Sequence, residues 1–126
     1  MPELPEVETT VRDLRPHVAG RAFTAVNVQI PRMVHAPAPA AFAQALPGRR
    51  VAGLRRHGKF IIFDLDAGAL VAHLMMGGGI LWKRPADEAT TYTRLTFGLD
   101  DASELRFVNP RTLGGVWLVD DPALVI

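Results

Sequence analysis

The sequence predicts a mainly β domain with one N-terminal helix: a two-layer β-sandwich of about eight strands with the helix packed against it. Three observations carry this. The apolar period is helical near the chain start and strand-like downstream. The strand-like runs are short and divided by Gly, Pro and Asp turns. No βαβ rhythm calls for a parallel sheet. An open β-barrel is the alternative arrangement of the same strands.

Leu4, Val7, Val11 and Leu14 recur at three- and four-residue intervals, which predicts a helix starting near Pro5 and ended by Pro16. Pro5 suits a first helical position, and Glu6 and Glu8 in the first turn interact favourably with the positive end of the helix dipole. After Gly20 the period becomes two, giving a strand over 23–30 that Pro31 stops. The Pro- and Ala-rich segment 31–39 reads as loop, and 40–46 as a short helix closed by Pro47-Gly48. Strands follow over 51–56, 59–65 and 69–75, the last two joined by an Asp66-Ala67-Gly68 turn. Leu95, Phe97 and Leu99 alternate with polar residues, 100–103 turns the chain, and Leu105 and Phe107 return as a hairpin. Val116 to Val119 is the last strand.

The chain has 126 residues, the size of one domain, and 48% hydrophobic against 21% charged residues excludes wholesale disorder. It contains no cysteine, which excludes disulfides, thiolate zinc sites, iron–sulfur clusters and a cysteine nucleophile. The charge-free stretch from Ala67 to Trp82 holds His73 and three glycines and is shorter than the ~20 apolar residues of a bilayer span, so it reads as buried strand. Acidic residues near the start replace the basic ones of an export signal, which points to the cytosol. The net charge of +1 hides an asymmetry: residues 1–63 carry nine Lys and Arg against four Asp and Glu, and residues 64–126 carry five against nine. Arg49, Arg50, Arg55, Arg56, His57 and Lys59 form either an anion-binding footprint or a solvated strand surface, and the surface is the simpler reading.

Met1-Pro2 invites a chemical reading. Loss of the initiator methionine exposes proline as a secondary amine, and an α-amino group titrates near ~7.7–8.0 against ~10.4 for lysine, so it has more nucleophilic form at neutral pH. Attack on a sugar C1′ gives an iminium without an N–H proton to lose, which serves as an electron sink for elimination. Glu3 and Glu6, three apart, stand beside it either as acid and water-holder or as helix-dipole partners. Lys59 reads as a phosphate contact or an exposed lysine, and His73 as a hydrogen-bonded core histidine or a ligand. No HExxH, EF-hand, Walker or GxGxxG pattern appears, so metal and nucleotide-cofactor readings have no support.

Four segments in order, Met1-Pro2-Glu3-Leu4-Pro5-Glu6-Val7-Glu8-Thr9, His57-Gly58-Lys59-Phe60, His73-Leu74-Met75-Met76 and Asn109-Pro110-Arg111, resemble the bacterial formamidopyrimidine-DNA glycosylases, which excise oxidised purines and nick the abasic site. Leu4 separates the start from the related endonuclease VIII branch, which has glycine there. The resemblance implies that Pro2 is the nucleophile and Schiff-base former, that Glu3 protonates the deoxyribose ring oxygen, and that Glu6 holds water and orients the terminus. It implies that Lys59 contacts phosphate and the lesion nucleotide, with His73 approaching phosphate. Asn109 of the Asn109-Pro110-Arg111 loop would contact DNA, and Met76 and Arg111 would fill the hole left by the extruded base, offsetting unstacking that costs a few kcal/mol. Leu113 stands where the family usually has an aromatic wedge, and it lacks that stacking face. Thr112 stands where a basic residue is common, and Gly77 replaces a small hydroxyl residue.

The family is about twice this length, with a helix-two-turns-helix domain and a four-cysteine zinc finger after the sandwich. The expectation is therefore a single N-terminal catalytic-type domain over 1–126, without cofactor in this chain, the zinc belonging to the C-terminal region. The implied partners are double-stranded DNA carrying an oxidised purine or abasic site, and the chain's own C-terminal domain. No membrane partner is expected. The alternatives are a catalytically silent DNA-binding or interaction module, and one half of a split enzyme.

Overall fold

Val7, Val11, Leu14 and Val18 are buried along one stripe of helix α1 (Leu4–Val18) in the computed structural model, which describes residues 4–126. Pro16 does not end the helix as its ring predicts. The Ala19 N–H still reaches the Arg15 carbonyl at 3.0 Å, and Val18 is fully buried, so core packing of the last turn overrides the lost hydrogen bond. The chain then enters β1 (Phe23–Val28), two residues shorter than the alternation suggested.

The segment 31–39, expected as loop, carries structure. A 3-10 turn at Pro31–Met33 leads into β2 (Val34–Ala36). Met33 and Val34 are buried, so two apolar side chains anchor a segment whose prolines hide any period. Helix α2 (Pro39–Ala45) follows, then β3 (Val51–His57), β4 (Phe60–Leu65), β5 (Ala69–His73), β6 (Gly79–Lys83), β7 (Thr93–Leu99), β8 (Glu104–Val108) and β9 (Gly115–Val119). Among the described residues nine strands form two sheets, in the orders β1-β7-β8-β6 and β2-β9-β5-β4-β3. The two sheets touch through a single bridge, Ala22 with Arg50, and otherwise pair within themselves, which makes a sandwich rather than one continuous barrel sheet. Two strands lie outside those the sequence places by range: β2, which pairs in parallel with β9, and β6, which pairs with β8.

Alternation turns Ile61, Phe63 and Leu65, Leu70 and Ala72, and Val116 and Leu118 into the core. There Phe63, Phe23, Phe97 and Phe42 meet in sequence edge to edge, with ring centroids 6.2, 5.9 and 6.3 Å apart. Such contacts add about 0.5–1.5 kcal/mol each beyond area burial. On the outer face of the five-stranded sheet, Ile62, Ala69 and Val71 are buried beneath Phe60, Trp117, Val119 and Val125. Helix α1 lies along β3: the Gly20 N–H bonds the Val51 carbonyl at 2.9 Å, and Arg56 grips Glu8 at 2.6 Å. Its first turns therefore lie at the His57 end of the strand.

Candidate functional site

Strand register brings the separate segments together. Phe60 pairs with His73, and His73 with Gly115, so the β3–β4 turn, the loop 74–78 after β5 and the loop 109–114 before β9 leave one end of the five-stranded sheet. The amino end of α1 lies at that end too. Lys59, half-buried in the turn, directly precedes Phe60, the register partner of the half-buried His73.

His73 is held in one state by its neighbours. Burial, then the Lys59 ammonium, pushes its imidazole below the ordinary histidine value. The Met75 N–H donates to its Nδ1 at 3.3 Å, which leaves the proton of the neutral ring on Nε2. Phe60 packs edge-on against the ring at 4.8 Å. His73 therefore offers a neutral N–H donor beside a cation.

The two loops are tied by Asn109. Its side chain is fully buried; Nδ2 donates to the Leu74 carbonyl at 2.9 Å, and Oδ1 accepts from the Arg111 N–H at 2.8 Å. Arg94 Nε reaches the Asn109 carbonyl at 2.9 Å. The expected role of Asn109 in contacting DNA is corrected by this burial: its amide is spent inside the protein, and it positions the neighbours that are exposed. Gly78 shows how tight the junction is, since a Cβ there would lie 2.0 Å from the Leu74 carbonyl oxygen. Gly114 is equally closed, at 2.2 Å from the His73 oxygen and with φ +79.

What the loops present is unusual for a soluble surface. Met76 is 49% and Leu113 42% exposed, and both flank Arg111, whose guanidinium lies against Gly77. Two large apolar side chains stand in solvent beside a cation that has no carboxylate partner among the described residues. The backbone is strained here as well. Met75 and Thr112 have φ of 55 and 52, and non-glycine residues held in that region cost about 1–3 kcal/mol and cluster at ligand-binding positions.

Among the sequence-predicted residues, Lys59, His73, Met76, Arg111 and Leu113 share this end of the sandwich. Glu6 is exposed on the first turns of α1. Pro2 and Glu3 lie outside the described residues. The basic cluster does not form one surface. Arg49 bonds the Ala45 and Ala67 carbonyls, Arg50 meets Asp100 at 3.5 Å, Arg55 meets Asp64 at 2.7 Å and Arg56 meets Glu8. Sequence reasoning missed Arg32 and His35, which reach the same loop from the segment 31–36. Arg32 bonds the Thr112 hydroxyl; His35 stacks on Trp117 at 4.5 Å and bonds the Gly114 carbonyl at 2.8 Å. The buried Met33-Val34 pair was the available signal that this segment docks. Among the described residues no group of His, Asp and Glu is placed to hold a metal ion.

Cations, a neutral imidazole donor and two exposed apolar side chains are gathered at one end of the sandwich. The chain belongs to the formamidopyrimidine-DNA glycosylase family: the model of the formamidopyrimidine-DNA glycosylase N-terminal domain matches residues 1–116. The formamidopyrimidine-DNA glycosylase of Symbiobacterium thermophilum is 41% identical over 119 residues, covering 94% of this chain and 39% of that one. Its counterpart in Nocardia farcinica is 44% identical over 128 residues, covering 91% and 43%. Among solved structures, the Lactococcus lactis enzyme bound non-covalently to DNA containing an abasic site superposes with a TM-score of 0.85 at 28% identity, over 94% of this chain and 45% of that one. MutM in complex with DNA containing carbocyclic 8-oxo-G gives 0.86 at 29% identity, over 94% and 44%. The chain thus spans less than half the length of these relatives. The family's zinc finger lies in the C-terminal region, outside the matched residues.

Proposed function

We propose that this chain is the catalytic N-terminal part of a bifunctional DNA glycosylase and abasic-site lyase that excises oxidised purines from double-stranded DNA in base excision repair. One observation carries the reading: three sequence segments far apart in the chain, 57–60, 73–76 and 109–111, converge at one end of the sandwich, next to the start of α1 that carries the fourth. Pro2, freed of Met1, attacks C1′ of the damaged nucleotide as the base departs. The iminium so formed cannot shed an N–H proton and drives the elimination that nicks the strand. Glu3 protonates the ring oxygen, and Glu6, exposed beside it in sequence, holds water. Lys59 and the Nε2–H of His73 meet phosphate, while Met76, Arg111 and Leu113 occupy the gap left by the extruded nucleotide.

In this reading part of the DNA grip belongs to a C-terminal region, in keeping with relatives more than twice this length. No helix of the described residues is long and apolar enough to cross a membrane, and the bacterial cytoplasm is the compartment this activity needs.

Borohydride trapping on a duplex containing an abasic site tests the reading, using chain shown by mass spectrometry to lack Met1. It is done with the chain alone and with the chain continued by the C-terminal region of the Symbiobacterium thermophilum relative. A covalent adduct is expected only when Pro2 is terminal, because an acylated proline nitrogen is not a nucleophile. Glu3→Gln should keep duplex affinity and abolish base excision. Trimmed, completed protein that forms no adduct sinks the enzymatic reading.

A further inference from the structure

Most guanidinium groups of the described residues are already engaged. Arg21, Arg50, Arg55, Arg56 and Arg106 pair with carboxylates, and Arg15, Arg49 and Arg94 donate to backbone carbonyls. Arg84 lies over the Trp82 ring at 5.3 Å. Arg12 stands on the outer side of α1, beside Glu8. Two others, Arg32 and Arg111, meet at the loop 109–114. Arg32 is exposed, pairs with no carboxylate among the described residues, and spends one donor on the Thr112 hydroxyl, which in turn donates to the Arg111 carbonyl at 2.7 Å. A guanidinium has five N–H donors in a fixed fork, so most of those on Arg32 remain available for an anionic oxygen. The segment that carries it is itself secured to the loop by His35 on Gly114.

We propose that Arg32, held by Thr112 beside Arg111, takes a backbone phosphodiester of the DNA strand against which the 109–114 loop docks, and so adds a backbone contact from outside the four sequence-matched segments. This rests on the DNA-binding reading above. Arg111 serves the gap in the duplex, and Arg32 fixes the loop's position on the backbone. A phosphate contact carries no sequence information but contributes to salt dependence, because each neutralised phosphate releases condensed counterions.

The test is the affinity of the chain, continued by the C-terminal region of the Symbiobacterium thermophilum relative, for a tetrahydrofuran-containing duplex, measured by fluorescence anisotropy over a range of NaCl concentrations. Arg32→Ala should weaken binding roughly tenfold at low salt and lower the slope of log K against log salt by about one unit. Arg32→Ala combined with Thr112→Arg, which returns a guanidinium to the same loop, should restore the slope. Lower affinity at unchanged slope would show that Arg32 only braces the loop, and would overturn the proposal while leaving the DNA-binding reading intact. Completed wild-type protein that fails to bind the duplex at any salt would overturn both.

Discussion

The two ends of the sandwich are built from similar residues and treat their charges in opposite ways. At the end holding the β4–β5 and β7–β8 turns, every arginine is answered. Arg21 and Arg50 face Asp100 at 3.5 Å, Arg50 also takes Asp66 through its backbone N–H, and Arg49 caps carbonyls. At the other end Lys59, Arg32 and Arg111 have no carboxylate among the described residues, and Met76 and Leu113 stand exposed between them. The paired end is closed by its own atoms. The unpaired end is stable only because buried groups beneath it hold its loops, and that leaves cations and apolar surface for something else. Charge content along the sequence does not separate these ends; which charges find partners does.

Breaking the support of the unpaired end should have the largest effect. Asn109→Ala strands the Leu74 carbonyl and the Arg111 N–H in a buried site, and an unsatisfied buried polar group costs about 1–3 kcal/mol. A loss of roughly 2–4 kcal/mol in urea unfolding is expected, together with release of both loops, seen as faster amide exchange at Met76 and Thr112. A loss well below ~1 kcal/mol would show that the loops do not depend on this amide. The comparison between a self-sufficient end and a braced one would then fail.

Much of this was legible in the sequence, for stated physical reasons. Alternation in β7 and β8, the continuous apolar run of β4 and the spacing in α1 report burial directly, so the sandwich and its helix follow from the apolar pattern. The convergence of Lys59, His73, Met76 and Arg111 was legible only as four ordered segments, because register across β4, β5 and β9 is a long-range property that no local window contains. Asn109 shows the limit in the other direction: an exposed and a buried asparagine look alike in sequence, and its polar side chain suggested contact where the fold needs a tether. β2 and Arg32 were missed because three-residue strands between prolines leave too few positions for a period to show.

Unbalancing the paired end should have a modest effect and leave the other end untouched. Asp100→Asn removes the partner of Arg21 and Arg50, whose side chains are 46% and 57% exposed, so the expected destabilisation is below about 1 kcal/mol and shrinks with added salt. The freed cations lie about 20 Å from the β3–β4 turn along strands rising ~3.3 Å per residue, beyond a Debye length of about 10 Å at 0.1 M salt. Duplex affinity at that salt should not change. A gain in affinity on Asp100→Asn would place part of the DNA surface at the paired end and undo the contrast.

The smallest effect is the most specific. Burial and Lys59 both depress the His73 imidazole, and protonating Nδ1 would also oppose the Met75 N–H that now donates to it. The folded value therefore lies below the unfolded one of about 6.5, and the unfolded chain binds more protons as pH falls through that region. The contribution to stability is complete above the unfolded value and is lost as pH falls towards and through the folded one. Proton NMR titration should find His73 titrating below the ordinary histidine value. Lys59→Gln should move His73 upward without restoring the ordinary value, because burial, the larger cause, remains. If Lys59→Gln leaves His73 in place, the ammonium does not face the ring, and the cation and donor that the register sets side by side act on different parts of any ligand.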